Sequence, residues 1–563
     1  MKILIYIEPQ IELDAPQHKD IWVDQWVPRL VQGLVEGFPN DLTAVAVAAD
    51  HLVEKAPILD GATWVGVSQS DAIDLQNENG LDGRVKRYLE GADCEEGRLH
   101  ARRIARVLGD FVPDCIIGLS DARFLSAAYP EAGILQHEYG QFSRSPFPES
   151  FFFDPCGAGG SAWLNRHWRE VVETWQPSKE QLDVTRALMT GYKNTIKEFN
   201  PFEDFLETAR TNFPRLATLP LHLHGQPLYD GLTNVVSPVQ LMQAALEVLP
   251  PRTGLLVASH PGQRPVDLGV IDYLSDRYPA FLMPGRDISL ASPSQYLVPH
   301  SDHVICVSSS VAALTLFWGN PYIAAGNGYL KFLEAANWSS TWPEKPQLSI
   351  EQRERLLAWL IFKFLALDSN VRSGEWMSAV VRSCLAGKAS GSFADFFDKM
   401  PEHDVDFVQE NWVDKLAARN SNLLLQNAVQ QYSQAINAGD DLTWLNLEPA
   451  LDKAAAKMPL SSDSGSFYFH KGMASINRKG DMPAAAEAFI LAREAFSALC
   501  ASQLNAHHIN MYWQSAFHVC YALRNRKAAP EYMDALLRLT QSPPHNIPEM
   551  PSSLRLRLAE VTG

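Results

Sequence analysis

Five short polar clusters in this sequence carry side chains that could do chemistry. The first, residues 136–145, reads Gln-His-Glu-Tyr-Gly-Gln-Phe-Ser-Arg-Ser and combines a carboxylate, Glu138, with a guanidinium, Arg144. A carboxylate at the end of a strand can act as a general acid or base when its surroundings tune its pKa. The planar guanidinium of Arg144 could bind a phosphate or a carboxylate. A solvent-exposed loop with a weak Glu–Arg ion pair is the alternative for this cluster.

The second and third clusters place carboxylates near glycines or histidines. Residues 151–160 read Phe-Phe-Phe-Asp-Pro-Cys-Gly-Ala-Gly-Gly, in which Asp154 precedes glycines whose N–H groups could approach an anion. Such a segment alone is more often a turn, and it lacks the spacing of a dinucleotide fingerprint. His222 and His224 share a face in a strand and could bind a metal, but no third ligand is evident, so we predict no metal site. Asp230 follows in a Tyr-Asp-Gly segment, where Asp is also a common turn residue.

The last two clusters could bind an anion. His260, followed by Pro261, comes directly after an apolar run, and its imidazole could donate to a phosphate or bond a neighbouring carbonyl. Ser308, Ser309 and Ser310 stand between a predicted strand and a predicted helix, where hydroxyls and N–H groups can form an anion site. Simple N-capping by serine is the alternative, and both roles can coexist.

Alternating strand and helix patterns must position these clusters, and that alternation indicates parallel α/β sheets. The first series of predicted strands is Ile3–Ile7, Thr43–Ala48, Cys115–Gly118 and Gly133–His137. The second series is Ala217–His222, Gly254–Ser259, Ala280–Met283, His303–Val307 and Tyr322–Ala325. Ligands of open α/β sheets bind beyond the carboxyl ends of the strands. The clusters at residues 137–140, 259–261 and 308–310 follow predicted strands directly, which is the first indication of function.

We therefore predict two Rossmann-like α/β lobes, residues 1–160 and 211–390, joined by a helical connection, residues 161–210. An all-α tail domain, residues 391–563, is predicted to follow. Within it, residues 481–497 resemble one helix of a tetratricopeptide repeat, but no clean 34-residue period recurs. The tail is expected either to bind a protein partner or to pack on the lobes as a helical cap.

Composition excludes several classes of protein. The net charge of −17 over 563 residues argues against a general nucleic-acid binder, which would normally show a basic face. An apolar fraction of 46% with 20% charged residues excludes disorder as the global state. The sequence contains neither an apolar stretch of about 18 residues nor a secretory signal pattern at its start. Seven scattered cysteines without a Cys-x-x-Cys pair predict neither a disulfide framework nor a zinc site, so we expect a cytoplasmic protein.

Taken in order, these clusters resemble a family: the bacterial retaining β-Kdo glycosyltransferases of capsule and lipopolysaccharide assembly. The segment Val304–Gly326 is similar to the family's Ser-Ser, helix, Gly-x-Pro, strand, Gly pattern. Glu138-Tyr139-Gly140 with Arg144-Ser145 resembles its Glu-Asp-Gly-Phe-x-Arg-Ser element with one inserted residue, and His260-Pro261 resembles its His-Pro. The resemblance covers about residues 130–330. After Gly326 the chain has Asn-Gly-Tyr-Leu, where the family often has Gly-Trp-Gly.

The resemblance implies a GT-B-like arrangement of the lobes, CMP-Kdo as the donor, and no cofactor or metal. It also implies a double displacement, because retention needs two inversions and therefore an enzymic nucleophile. Asp230 is the implied nucleophile, since Gln226 to Asp230 keeps the family's Gln-to-Asp spacing, with Pro227 where the family has Val. Asp154 is the competing carboxylate.

The remaining roles follow from the same resemblance. Glu138 is the expected base for the acceptor hydroxyl. His260 and the serines 308–310 would hold the leaving cytidylate, and Arg144 would bind the carboxylate of the sugar. The acceptor would be a glycan or glycolipid, and a lipid-linked acceptor would bring the protein to the inner membrane peripherally.

Three alternatives remain open at this point. A related nine-carbon sugar such as pseudaminic acid would use similar CMP chemistry. Another nucleotide-sugar GT-B enzyme, for example an inverting UDP-sugar transferase or a polymer phosphotransferase, would need a base but no nucleophile. A non-catalytic scaffold of glycan assembly would recruit a partner through its helical tail, although it would have no need of polar clusters at strand ends.

Overall fold

The computed structural model describes residues 1–9, 17–68, 70, 83–143, 146–157, 159–198, 200, 202–222, 233, 235, 237–259, 266–284, 293–337, 342–418, 422–439, 441–457, 461–502, 506–526, 530, 547, 550, 551, 553–555, 557 and 558. The chain forms two compact units. The first comprises residues 1–194, 205–284 and 292–418, and the second comprises residues 195–204, 285–291 and 419–563.

The first unit contains a seven-stranded sheet with the order β13-β6-β5-β4-β1-β2-β3. Its strands are β1 Lys2–Tyr6, β2 Thr43–Ala49, β3 Ala62–Val67, β4 Cys115–Gly118, β5 Gly133–Tyr139, β6 Ser150–Asp154 and β13 Ala366–Leu367. Strands β1 to β5 pair in parallel, whereas β6 runs antiparallel to β5 and β13 runs antiparallel to β6. Ile3, Leu4 and Ile5 are all fully buried, as is typical of a parallel strand covered on both faces.

A six-stranded parallel sheet forms the second lobe of the same unit, with the order β12-β11-β10-β7-β8-β9. Its strands are β7 Arg215–Pro220, β8 Thr253–Ala258, β9 Phe281–Leu282, β10 His303–Cys306, β11 Tyr322–Ala324 and β12 Glu334–Asn337. If β7 to β12 are numbered 1 to 6 and the sheet is read from β9 to β12, the strand order is 3-2-1-4-5-6, which is the Rossmann order. β8 and β9 lie on one side of β7, and β10 to β12 lie on the other side, so the strand order reverses between β7 and β10 at the centre of the sheet.

Helices cover both sheets of the first unit. Those of at least ten residues are Val27–Gly37, Glu95–Leu108, Trp163–Thr174, Lys179–Glu198, Glu203–Asn212, Pro238–Val248, Leu268–Arg277, Ile350–Trp359 and Gly374–Ser390. Shorter helices are Gln17–Ile21, Asp50–Val53, Ser294–Leu297, Leu314–Trp318, Asp368–Arg372, Val405–Val408 and Lys415–Ala418, and residues 83–90 are also helical.

Most of the described residues of the second unit are helical. Its longer helices are Asn422–Ala438, Asp441–Lys457, Ser462–Ala474, Met482–Ser502 and Ala506–Leu523. The last two pack together through a buried core that includes Phe489, Phe496, Trp513 and Phe517. No described helix in the protein is both long and apolar enough to cross a lipid bilayer. The predicted tail helix at residues 528–539 falls almost entirely outside the described part of the chain.

The predicted fold class is confirmed: two Rossmann-like lobes, GT-B-like, precede a helical C-terminal region. Four strands, β3, β6, β12 and β13, were not predicted. The Phe-Phe-Phe run of β6 was interpreted as the start of a glycine-rich loop, but it forms a buried strand between β5 and β13.

The pairing of β13 with β6 also differs from the predicted domain ranges. Residues 211–390 were assigned to the second lobe, yet β13 lies in the first sheet and the helix Gly374–Ser390 packs on the helix Val27–Gly37. The physical reason is that the backbone N–H and C=O groups on the outer edge of the buried strand β6 are paired by β13, which comes much later in the chain.

Candidate active site

A cavity lies between the two lobes, beyond the carboxyl ends of three neighbouring strands of the second sheet. It is lined by residues that come within four positions after the ends of β7 (Leu221 and His222), β8 (Ser259) and β10 (Ser309 and Ser310). The empty space, part of which is open solvent, is about 680 Å³. Because β7 and β10 flank the point where the strand order reverses, this is where an open α/β sheet binds its ligand.

The second-lobe wall of the cavity includes the predicted serine cluster. Ser309 accepts a hydrogen bond from the N–H of Val311 at 3.2 Å and begins the short helical turn Ser310–Ala313, which continues as the helix Leu314–Trp318. The hydroxyl of Ser308 is buried and has no partner among the residues that the structure describes. Gly328, in the segment after β11, packs directly on the backbone of Ser308.

The first-lobe wall comes from the loop after β5. Gln141, Phe142 and Phe147 line the cavity, and the Nε2 of Gln141 donates to the hydroxyl of Tyr329 at 3.0 Å. Phe142 and Phe147 are both buried against Phe317, with ring centroids 5.2 and 5.4 Å apart respectively. The structure therefore brings the predicted clusters at 136–145 and 308–310 to one cavity.

Glu138, the predicted base, lies near the end of β5 and is half-buried. The Nε2 of Gln136, on the same face of the strand, donates to its Oε1 at 3.2 Å. Burial, and then the neighbouring charge of Glu138, raise the pKa of Tyr329 well above its ordinary value. Burial and the charges of Asp121 and Glu138 likewise raise the pKa of Tyr88. Glu138 thus stands near two phenols that remain protonated.

Asp154, the competing carboxylate, is fully buried and bonded to the backbone. Its Oδ1 accepts from the N–H of Cys156 at 2.7 Å, and its Oδ2 accepts from the N–H of Trp163 at 2.8 Å. Burial raises the pKa of Asp154 to about 7, against the opposing effect of these N–H groups. The carboxylate ties the turn after β6 to the start of the helix Trp163–Thr174, which is a structural role.

Three predicted site residues, Arg144, Asp230 and His260, lie outside the described residues, as does His224. Their described neighbours do reach the cavity. His222 and Ser259 line it, and the segments that carry Asp230 and His260 begin directly after them. Within the described ranges, no group of three or more His, Cys, Asp or Glu side chains could hold a metal ion.

The sequence motifs did not reveal a charged cluster beyond the carboxyl ends of β1 and β4, which are neighbours in the first sheet. Glu8, two residues after the end of β1, is paired with Arg87 and, at 3.4 Å, with Arg84. Its backbone N–H donates to the hydroxyl of Ser120 after β4, and Lys19 donates to its carbonyl at 2.9 Å. Burial opposes ionisation of Glu8, but the two arginines lower its pKa below the ordinary value. The sequence did contain a signal for this cluster, because Glu8 is a carboxylate that follows the predicted strand Ile3–Ile7.

Gln295 was also missed, although it lines the cavity. It lies in the four-residue helix Ser294–Leu297, which has no motif around it in the sequence. Only the tertiary fold brings Gln295 to the cavity near β7 and β10, between which the strand order of the second sheet reverses.

No protein-family model and no curated protein matches the chain. Among solved structures it is similar to the β-Kdo 2,7 transferase of Thermosulfurimonas dismutans KpsC, at 11% identity over 73% of this chain and 98% of that chain, with a TM-score of 0.35. It is similar to the β-Kdo 2,4 transferase of the same KpsC at 15% identity over 41% and 73% of the two chains, with a TM-score of 0.27. The UDP-GlcNAc 2-epimerase of Methanocaldococcus jannaschii matches at 12% identity over 64% and 98%, with a TM-score of 0.24. The description of the fold rests on the sheet topology itself.

Proposed function

We propose that this protein is a retaining glycosyltransferase that moves an ulosonic acid from its CMP donor to a glycan or glycolipid acceptor. Kdo is the sugar that the sequence motifs imply. One observation carries the proposal: the cavity at the switch point of the second sheet is walled on its other side by the first-lobe loop that follows Glu138. A donor bound there would lie between the serine cluster and the loop that follows the proposed base.

The second-lobe wall suits the nucleotide. In this proposal Ser309 and Ser310 offer hydroxyl and N–H donors to the cytidylate phosphate, and His260 adds a further donor. Such donors stabilise the negative charge that develops on the leaving group. Arg144 binds the carboxylate of the sugar through its planar guanidinium.

The proposed reaction has two displacements. The carboxylate of Asp230 attacks the anomeric carbon, the bond from that carbon to the phosphate oxygen breaks, and CMP leaves with the electron pair. The acceptor hydroxyl then loses its proton to Glu138 and attacks the same carbon, which releases Asp230. Two inversions give net retention.

The acceptor and the cellular location are parts of the same proposal. A bacterial surface glycan or its lipid-linked precursor is the acceptor, and the enzyme works in the cytoplasm or peripherally at the inner membrane. The helical second unit is assigned the binding of a protein partner, and no nucleic acid or metal takes part.

Intact-protein mass spectrometry tests the mechanism. Wild type and Asp230→Asn are incubated with CMP-Kdo generated in situ, without an acceptor, and in parallel with a CMP-linked nine-carbon ulosonate. We expect a sugar-sized adduct on wild type that is absent from the variant, because only a covalent intermediate adds that mass. Asp154→Asn is the matched control and should keep the adduct, since Asp154 is buried against the backbone.

Each other outcome contradicts a defined part of the proposal. An adduct on Asp230→Asn moves the nucleophile to another residue. No adduct and no CMP release, together with tighter binding of UMP than of CMP, indicates a UDP-sugar enzyme. Binding of CMP without any turnover, and capture of an assembly partner by the helical unit, indicates a scaffold.

A further inference from the structure

We propose that one helix of the first lobe docks this protein on an anionic lipid surface. The helix is Glu95–Leu108, and its docking face is formed by Arg98, Arg102 and Arg106, which we call the arginine stripe. The inference goes beyond the proposed function, because it assigns a surface outside the cavity and can be tested without a sugar donor.

The three arginines share one face of the helix. Side chains four residues apart lie on the same side of an α-helix, so the stripe extends about 12 Å along the helix axis. All three arginines are exposed. Another face of the helix, which includes Ile104 and Leu108, is buried in the core of the first sheet, so the orientation of the stripe toward solvent is fixed by packing.

The guanidinium groups of the stripe are not neutralised by carboxylates of the protein. Among the residues that the structure describes, none of the three forms an ion pair. Arg98 donates to the backbone carbonyls of Ala92, at 3.2 Å, and Asp93, at 2.6 Å, and these bonds leave its charge in place.

The local sequence around the stripe is basic, although the chain as a whole has a net charge of −17. Residues 97–109 contain four arginines and no acidic residue. The acidic residues of the helix, Glu95 and Glu96, are in its first turn, and Glu96 is paired with Lys86 at 3.0 Å. At physiological ionic strength, charges more than about 8 Å away are largely screened, so distant carboxylates do not cancel the stripe.

Folding alone does not favour this arrangement. Like charges four residues apart destabilise a helix, and the stripe contains two such pairs. A negatively charged surface would supply the missing counter-charge. Basic clusters on an amphipathic helix are typical of proteins that bind the anionic headgroups of a membrane.

The exposed apolar side chains beside the helix favour a lipid surface over a soluble polyanion. Leu89, six residues before the helix, is 49% exposed, and Val112, four residues after it, is 58% exposed. The interface of a bilayer accommodates apolar side chains next to basic ones. Binding to a nucleic acid depends mainly on phosphate contacts and would gain little from them.

The helix also connects this surface with the proposed site. It lies in the chain between β3 and β4, which run in the same direction, so it begins near the carboxyl ends of the strands of the first sheet. Glu138 is near the end of β5 at that same edge. Docking on the stripe would hold the lobe that carries the proposed base against the leaflet, which suits an acceptor anchored in lipid.

Vesicle co-sedimentation of the full-length protein tests the inference. The vesicles are phosphatidylcholine alone and an equimolar mixture of phosphatidylcholine and phosphatidylglycerol. Each arginine close to an anionic leaflet strengthens binding about fivefold, so wild type should bind the mixed vesicles about 100-fold more tightly than the neutral ones. Raising the NaCl concentration to about 0.5 M should abolish that preference, because salt screens the attraction.

Two variants of the stripe separate charge from other effects. Arg98→Gln/Arg102→Gln/Arg106→Gln should lose the preference for mixed vesicles. Arg98→Lys/Arg102→Lys/Arg106→Lys should keep it, because lysine carries the same charge. Thermal unfolding followed by circular dichroism checks that both variants are folded.

The matched control changes the net charge by the same amount at other places. It is Arg186→Gln/Arg215→Gln/Arg382→Gln, which replaces three exposed arginines of the first unit that lie outside the stripe. This control should bind both kinds of vesicle like wild type. Equal losses in the control and in the glutamine variant of the stripe would show that net charge, and not the stripe, sets binding.

Three further results would overturn the inference. The first is equal binding of wild type to neutral and mixed vesicles. The second is an unchanged preference in the glutamine variant of the stripe. The third is stripe-dependent retention on immobilised polynucleotide without binding to vesicles, which would assign the stripe to a soluble polyanion. Formation of the sugar adduct from CMP-Kdo needs no vesicles, so failure of the inference and failure of the proposed function are distinguishable.

Discussion

Replacing Gly328 by alanine tests whether the segment after β11 holds the cavity wall in place. A Cβ atom on Gly328 would lie 2.5 Å from the carbonyl oxygen of Val307 and 2.7 Å from the Cα of Ser308. Ordinary van der Waals contact begins near 3.4 Å, so one of the two backbones has to move by about 0.9 Å. A shift of that size in an active site can cost about 100-fold in rate, and overpacking costs about 1–3 kcal/mol of stability.

Both backbones carry groups of the proposed site. Ser308 begins the serine cluster, and Tyr329, next to Gly328, accepts the hydrogen bond from Gln141 at 3.0 Å. Lengthening that contact by about 0.9 Å would break it. We therefore expect Gly328→Ala to lower kcat/KM for the CMP-sugar about 100-fold and to weaken CMP binding. Steady-state CMP release, calorimetry with CMP and thermal unfolding followed by circular dichroism measure the three effects.

Gly191→Ala is the matched control for this experiment. Gly191 lies within the helix Lys179–Glu198, and an added Cβ would meet the end of the flexible Leu416 side chain at 3.1 Å. Alanine is favoured over glycine in a helix by about 1 kcal/mol, so this variant should keep wild-type kinetics and unfold no earlier. The reasoning is refuted if Gly328→Ala equals wild type in CMP affinity, turnover and unfolding temperature.

Two further predictions concern buried carboxylates and the free energy of unfolding, measured by urea denaturation between pH 3 and pH 8. Glu8→Gln should destabilise the first unit by about 3–5 kcal/mol at pH 7, because it leaves Arg84 and Arg87 buried without their counter-charge. The difference in unfolding free energy between wild type and Glu8→Gln should shrink as the pH falls below about 4.5. The reason is that the pKa of Glu8 is lowered in the folded protein, so its stabilising effect is lost on protonation. A difference independent of pH would contradict this. Burial raises the pKa of Asp154 to about 7 from 3.8, so the contribution of Asp154 to the unfolding free energy should fall by up to about 4 kcal/mol as the pH rises between those values, seen as the difference between wild type and Asp154→Asn. Asp154→Asn should abolish that decline, and an identical pH profile for both proteins would count against the assignment.

Much of the fold could be predicted because its central strands are buried on both faces. Residues 3–7 and 115–118 form short, continuous apolar runs, and such runs indicate strands of a parallel sheet. β13 could not be found in this way. It has only two residues, Ala366 and Leu367, and its partner β6 lies about 210 residues earlier in the chain.

Residues of the site could be predicted where a polar cluster follows the end of a strand. Ser309 and Ser310 follow β10, and they do line the cavity. Asp154 shows the limit of that reasoning: its nearby glycines suggested an anion site, but its carboxylate accepts N–H groups from its own chain. Gln295 could not be found at all, because an isolated glutamine in a four-residue helix has no pattern that marks it.

The late arrival of β13 has a consequence for the synthesis of this protein. When residue 154 has been made, the strand SFFFD of β6 has one unpaired edge, and the segment that will pair it is still about 210 residues away. At roughly 5–20 residues per second, a ribosome needs roughly 10–40 s to reach it. During that time the N–H and C=O groups along that edge are open to pairing with other chains, which is a route to aggregation. We therefore expect the nascent first lobe to depend on chaperones until Ala366 and Leu367 emerge.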